Sequence, residues 1–323
     1  MVDETPGRIR AVADVGGTNT RLAVFDPASA EISGIRAYAN RDYASLQAVI
    51  SAWLEQLQQE QPRDFCLAVA APPAAERVTM VNVDWSFSCQ DLAARFGFDR
   101  VRWLNDFQAN AHSLPHLEPS DLELIHPGSE TEHTTLATVG PGTGLGGATL
   151  RWMGGVPYAA DAEPGHAGLS PGNDLEIAIF KALLPVHGNI YAELLVSGIG
   201  LVRLYSAICE IHGATPVAME PADVSRLALE RSDEYCVLAL DTFCALLGST
   251  CGDFVLSNGA CRGLYIAGGI VPRMIDFLRQ SDFLARFHSK GAMREHLQAI
   301  PVHVITAANP GLIGAANAPL QTT

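Results

Sequence analysis

The sequence is nearly without lysine: across 323 residues only Lys181 and Lys290 occur. Neither follows a glycine, so the Gly-Lys-Ser/Thr of a P-loop is missing, and no strand carries the Val-Ala-Ile-Lys of protein kinases. Any phosphate bound by this chain must therefore be held by backbone N–H groups, hydroxyls and metal. Basic charge is scarce in general, with 21 Lys and Arg against 35 Asp and Glu and a formal net charge of −14. Such a surface repels nucleic acid and anionic membrane, and no basic stripe offsets it, so neither is expected as a partner. No Cys-x-x-Cys occurs among the seven cysteines and no His-Glu-x-x-His anywhere, which removes the common zinc signatures. Unpaired spacing and an odd count read as reduced thiols of a cytoplasmic protein. Residues 1–10 carry Asp3, Glu4 and Pro6 and lack an apolar centre, so no secretory signal is expected there. The longest apolar run, 236–256, contains Asp241 and Asp253. Each acid costs about 2.5 to 3.5 kcal/mol near a bilayer centre, so a buried helix is expected instead of a membrane span.

What is present in abundance is glycine at the ends of apolar runs. Hydrophobic residues make up 48% and charged ones 17%, enough for a large core and, at this length, for two domains. The first glycine turn lies in Asp14-Val15-Gly16-Gly17-Thr18-Asn19-Thr20-Arg21, between apolar runs that read as strands. Adjacent glycines admit positive φ and let N–H groups approach a phosphate; Thr18 adds a hydroxyl, and Asp14 could hold magnesium through water. An ordinary Gly-Gly hairpin is the other reading. The device recurs in Gly140-Pro141-Gly142-Thr143-Gly144-Leu145-Gly146-Gly147 and again at Gly268-Gly269, which follows the strand-like 264–267 and precedes the helix-like 271–278. Three such turns suggest one nucleotide gripped from several sides. Elsewhere, Leu46, Val49, Ile50, Trp53 and Leu57 predict the apolar face of a helix over 43–59. A buried strand is expected over 65–71, ended by Pro72-Pro73. Strands are further expected over 78–83, 101–104 and 302–305. The polar segment 112–135, with three prolines, predicts a crossing between domains.

Several motifs in the same order resemble one family. The Asp14–Asn19 turn, Leu104-Asn105-Asp106-Phe107, the 141–146 turn and Ile266-Ala267-Gly268-Gly269-Ile270-Val271-Pro272-Arg273 look like the proteobacterial-type glucokinases, of the hexokinase and actin-like ATPase superfamily. The resemblance runs from about residue 8 to about residue 314. It implies a two-domain α/β actin-like ATPase (ribonuclease H-like) fold with a cleft between a smaller N-terminal and a larger C-terminal domain. The smaller would take 1–115 plus a returning helix within 306–323, and the larger 116–305. It also implies ATP with Mg2+, glucose as the sugar substrate, and a homodimer. The Cys-x-Cys-Gly zinc cluster of the neighbouring sugar-kinase family is absent.

The same resemblance assigns candidate residues. Asp106, which on its own could equally cap a helix, becomes the general base toward the sugar 6-hydroxyl, with Asn105 beside it. Glu163, His166 and Glu193, each of which alone would read as a loop acid, a loop histidine or a solvated helix acid, become ligands of sugar hydroxyls, with Gly144 offering its backbone. Asp14, Gly16, Gly17, Thr18, Gly142 and Thr143 are expected to hold metal and phosphates, and Gly268 and Gly269 to approach the adenosine. Pro164 stands where the family usually has glycine, which puts sugar choice in question. A kinase for another hexose and a sugar-binding regulator without catalysis are the rivals; a filament-forming actin relative is disfavoured by the Glu and His set.

Overall fold

The structure, a computed structural model, describes residues 8–57, 61–71, 77–80, 83–129 and 132–320. The chain opens with three antiparallel strands, β1 (Arg10–Val15), β2 (Asn19–Asp26) and β3 (Glu31–Ala39). Helix α1 (Leu46–Leu54) follows, capped by Ser45, whose Oγ accepts the Ala48 N–H at 3.2 Å. It is shorter than the periodicity predicts, and Gln58 and Gln59 lie outside the described residues, as do Pro72 and Pro73. Next come β4 (Asp64–Val69), β5 (Arg77–Thr79), β6 (Ser86–Ser88), α2 (Cys89–Phe96), β7 (Arg100–Asn105) and α3 (Asp106–Ser113).

The segment 112–135 is not the plain crossing predicted for it. It contains β8 (Leu122–His126), an antiparallel edge strand on the second sheet. Its residues are half-buried or exposed, so the alternation that marks a strand is weak. Then follow β9 (Leu136–Pro141), β10 (Leu145–Met153), β11 (Val156–Ala162) and helices α4 (Asp174–His187), α5 (Ala192–Leu195), α6 (Gly198–Ile211), α7 (Pro221–Leu229) and α8 (Glu234–Asn258). After β12 (Gly263–Ile266) the predicted helix over 271–278 is broken. Pro272 sits in a 3-10 turn, Val271–Arg273, and α9 (Ile275–Gln280) starts only after Met274. Helices α10 (Phe283–His288) and α11 (Arg294–Gln298), strand β13 (Val302–Ile305) and helix α12 (Pro310–Asn317) complete the chain.

Two compact units result: 1–118, 150–161 and 307–323 in one, 119–149 and 162–306 in the other. The hairpin tip 150–161, expected with the larger domain, groups with the first unit, where Gln108 Nε2 reaches Ala159 O at 3.5 Å and Asp161 Oδ1 at 3.4 Å. The five-stranded sheet runs β3-β2-β1-β4-β7, and the six-stranded one β11-β10-β9-β12-β13-β8. Leaving aside edge strand β8, both place their third, second, first, fourth and fifth strands in that spatial order. The first and fourth strands are parallel in each, β1 with β4 and β9 with β12.

In the first unit, Ala11, Ala13 and Val15 pack into the core on one sheet face, and Val12 into that on the other, where it meets Leu104, Ala109 and Leu312. With both faces covered, β1 and β4 read as nearly continuous apolar runs. Helix α12 lies on α3 so closely that a Cβ on Gly314 would fall 1.7 Å from Ala109 O. The second unit is built around α8, the one helix among the described residues long and apolar enough to span a membrane. In its most apolar window 78% is buried inside the protein, as a core helix requires. Gly248 and Gly252 let α10 approach it, since Cβ atoms there would lie 2.1 Å from Phe283 O and 2.7 Å from Phe287 O. All seven cysteines are free thiols.

Candidate active site

Ligands of parallel sheets gather at the carboxyl ends of the strands, and the three glycine turns and Asp106 follow the ends of β1, β9, β12 and β7. In the first unit the registers Val15↔Val69 and Val69↔Asn105 put the ends of β1, β4 and β7 level. The Gly16-Gly17 turn and Asp106 therefore share one sheet edge, two strands apart, about 10 Å by ordinary strand spacing. Asn105, not Asp106, caps α3. Its Oδ1 accepts the Phe107 N–H at 2.9 Å, its own N–H reaches Gln108 Oε1 at 3.0 Å, and its Nδ2 donates to Ala71 O at 2.9 Å. That completes a capping box and leaves Asp106 in the first turn, half-buried, with Oδ1 3.1 Å from the Phe107 nitrogen.

Neither Gly16 nor Gly17 has positive φ. The turn needs small residues for closeness instead: Gly16 N–H donates to Asn19 O at 3.0 Å, and a Cβ at Gly16 would sit 3.3 Å from that oxygen. The turn is held from outside by Asn40, a residue the sequence reading missed. Its Nδ2 donates to Gly16 O at 2.8 Å, its N–H to Thr18 O at 2.9 Å, and its Oδ1 accepts the Thr20 hydroxyl at 2.8 Å. Asn40 is 2% exposed, whereas Thr18 and Asn19 face solvent. Asp14 sits on β1 opposite Arg21, against the first turn of α12, where a Cβ on Gly311 would come within 3.1 Å of its Cγ. Burial raises its pKa above that of an exposed aspartate, and Arg21 partly opposes this.

In the second unit, Gly142 N–H donates to Gly144 O at 2.7 Å, closing the 142–144 turn, and Gly198 N–H fixes it from α6 by donating to Gly142 O at 2.9 Å. Gly268 does take positive φ, +90°, and lies so near the 142–144 turn that a Cβ would meet Pro141 O at 2.5 Å. Gly140 shows the reciprocal approach, 2.5 Å from Ala267 O. These two turns open on a cavity of about 800 Å³, lined by Gly142, Thr143, Gly198, Ile199, Leu201, Pro221, Ala222, Ser225, Arg226, Leu229, Glu230, Gly269, Ile270, Arg273 and Met274. It suits a flat heteroaromatic base with a sugar attached. Apart from the glycine turns, none of this lining was legible from sequence. It comes from α6, α7 and the 3-10 turn after β12, where apolar side chains read as ordinary core.

Glu163 precedes the 3-10 turn Pro164–His166 and His166 ends it; both are exposed, with His166 Nδ1 3.8 Å from Glu163 Oε2. His166 stacks on Tyr191, rings 5.8 Å apart and 6° from parallel, which orients the imidazole. Pro164 occupies a first-turn position, where a missing N–H and a fixed φ suit the turn, and packs over Gly147. Glu193 lies on α5, half-buried, and its Oε2 accepts the Leu145 N–H at 2.8 Å. Gly144 leaves room for that carboxylate, since a Cβ there would stand 2.5 Å from Oε2 and displace it.

The donors fit a polyphosphate with magnesium. No group of three or more His, Cys, Asp or Glu side chains suited to a metal exists among the described residues. A lone carboxylate such as Asp14 matches an ion that keeps most of its waters and takes its other ligands from phosphate.

A family model described as Glucokinase matches residues 11–322. The chain is 37% identical over 308 residues to the glucokinase of Saccharophagus degradans, covering 94% of this chain and 96% of that one. It superposes on the crystal structure of a glucokinase from an Antarctic psychrotroph with TM-score 0.88 and 36% identity, covering 96% and 98% of the two chains. A ROK family glucokinase from Streptomyces griseus, solved with glucose and AMPPNP, shares the mixed α/β fold at TM-score 0.63 and 19% identity, over 95% and 98% of the chains. With its glycine turns, its Asn-Asp pair at a strand end and the cavity of the second unit, the chain belongs to the glucokinase family.

Proposed function

We infer that this protein transfers the γ-phosphoryl group of ATP to the 6-hydroxyl of D-glucose, in the presence of magnesium, and that Asp106 is the general base. The observation that carries the role of Asp106 is the capping box. Asn105 takes the N-cap position of α3, so Asp106 stands one residue further on, in the first turn, with its carboxylate at the strand end and Oδ1 sharing the Phe107 N–H. Asn105 would orient the sugar, and Asp106 would take the proton of its 6-hydroxyl as that oxygen attacks. Glu163, His166 and Glu193 would bind the other hydroxyls. The Gly16-Gly17-Thr18 and Gly142-Thr143 turns would direct N–H and hydroxyl groups at phosphate oxygens, Asp14 would hold the hydrated magnesium, and Gly268-Gly269 would lie against the adenosine in the second unit's cavity. Bound magnesium supplies charge neutralisation of the phosphates. A general base contributes about 10²- to 10⁴-fold, and alignment the greater part of the remainder.

We further propose two domains, 1–115 with 306–323 and 116–305, flanking a cleft that closes around sugar, and a cytoplasmic homodimer. Seven free thiols support the compartment. Closure would keep water from replacing the sugar, so ATP hydrolysis without sugar should be much slower than transfer. Comparable rates would remove that element. Light scattering on the purified protein reads the oligomeric state. The decisive experiment is a coupled ADP-release assay over a panel of hexoses with wild type and Asp106→Asn. Glucose should give the highest kcat/KM, and the variant should lose at least about a hundredfold in kcat. Activity within about tenfold of wild type would exclude Asp106 as the base, and preference for fructose or an amino sugar would reassign the substrate.

A further inference from the structure

The carboxylate of Glu193 does something besides facing a sugar. One of its oxygens, Oε2, is taken up at 2.8 Å by the backbone N–H of Leu145, the first residue of β10 and the one that follows the 142–144 turn. The other oxygen, Oε1, has no protein hydrogen bond among the described residues. The same short stretch of chain grips the turn a second time, through Gly198 N–H to Gly142 O at 2.9 Å. Between these two grips, Ser197 Oγ donates to Glu193 O at 2.8 Å and accepts the Gly200 N–H at 3.1 Å, tying α5 to the start of α6. Both ends of the turn are thus fastened to residues 193–198. Gly144 allows this, because any side chain there would displace Oε2.

We propose that Glu193 is a positioning residue for the phosphate turn: through Oε2 it holds Leu145 so that the 142–144 backbone is already set for nucleotide before sugar binds. The proposal rests on the kinase reading of that turn. It gives the two oxygens of one carboxylate different tasks, Oε2 toward the nucleotide side and Oε1 toward a sugar hydroxyl. A ligand that moves the carboxylate also moves the turn, so sugar and nucleotide affinities are linked, each altering the other by the same factor.

The test is ADP binding by calorimetry in the absence of sugar, with magnesium, on wild type, Glu193→Ala, Glu193→Asp, Glu193→Gln and Glu163→Gln. An amide oxygen at 193 still reaches the Leu145 N–H, whereas an aspartate, one methylene shorter, does not. Glu193→Ala and Glu193→Asp should each lose at least about fivefold in ADP affinity, the scale of a lost hydrogen bond to a charged group. Glu193→Gln should stay within about twofold of wild type while losing glucose affinity, and Glu163→Gln should lose glucose affinity alone. If alanine does not fold, the aspartate variant carries the same comparison. Wild-type ADP affinity in Glu193→Asp would overturn the proposal, leaving Glu193 a sugar ligand only. Absence of ADP binding in the wild type would overturn the kinase reading along with it.

Discussion

Pro164 and Gly147 form a pair whose energetics the structure lets us work out. Pro164 is buried in the turn that carries Glu163 and His166, and a Cβ on Gly147 would lie 2.7 Å from its Cγ and 3.1 Å from Thr138 O. Gly147→Ala alone therefore overpacks β10 against the ring, at a cost of about 1 to 3 kcal/mol. Pro164→Gly alone removes three ring methylenes, each contributing about 0.8 kcal/mol if fully buried. It also restores backbone freedom to the unfolded chain, about 0.4 to 1 kcal/mol more. In the double variant the obstructing ring is gone and the new methyl occupies part of its space, so the second substitution is far better tolerated. The expected coupling is about 1 to 2 kcal/mol in the stabilising direction. For a unit of this size each kcal/mol moves the thermal midpoint by about 2 to 4 °C, which differential scanning calorimetry resolves for four proteins run together. Additivity within about 0.5 kcal/mol would refute the packing argument. If Glu163 and His166 bind sugar as proposed, the same Pro164→Gly protein must order the turn that carries them on binding. Its KM for glucose should rise about two- to fivefold with KM for ATP unchanged. A lower glucose KM would contradict the view that Pro164 pre-forms the turn.

Asp14 is held in a place that penalises its charge, because burial raises its pKa above the ordinary 3.8. A carboxyl whose folded pKa is raised subtracts stability once ionised, and the loss disappears as pH falls through the raised value toward 3.8. Asp14→Asn should therefore melt higher than wild type at pH 7 while losing kinase activity, with the gap in melting temperature closing in acid. An unchanged gap would point to packing, not charge. For the cavity, Ala222→Trp should raise KM for ATP at least about tenfold and leave KM for glucose within about twofold, since an indole there competes with the base for space. Arg286 pairs at 2.5 Å with the fully buried Glu176, which also accepts the Gly172 N–H at 2.6 Å. Arg286→Met strands that charge and should cost about 3 to 5 kcal/mol, read as a fall in midpoint by denaturant titration.

What could be read before the structure follows from local physics. The alternation and apolar runs of β1, β2 and β4, the α1 face at Leu46, Val49, Ile50 and Trp53, and the buried α8 each declare themselves within a few residues. Strand β8 did not, because an edge strand needs no apolar face. The helix expected over 271–278 is interrupted because a proline and its predecessor resist helical continuation. The adjacent glycines of the first turn suggest positive φ, but neither adopts it; Gly16 instead lies close to Asn19 O, where a Cβ would make a tight 3.3 Å contact. Asn40, Gly311 and Tyr191 were invisible for another reason. Each acts on a residue 24 or more positions away or on a neighbouring segment, and nothing local marks an asparagine as the brace of a distant turn.

The sequence by itself pointed to the class of chemistry: with lysine nearly absent, glycines at strand ends and an Asn-Asp pair closing a strand, main-chain amides beside a carboxylate are the expected partners of phosphate. Tertiary structure alone decided that Asn40 braces the Gly16 turn, that Asn105 and not Asp106 caps α3, and that one oxygen of Glu193 takes the Leu145 N–H beside the 142–144 turn. The division has a physical cause. Backbone preference and hydrophobic period are properties of neighbours along the chain, whereas the partner of a polar atom is set by whatever segment the fold brings within 3 Å of it.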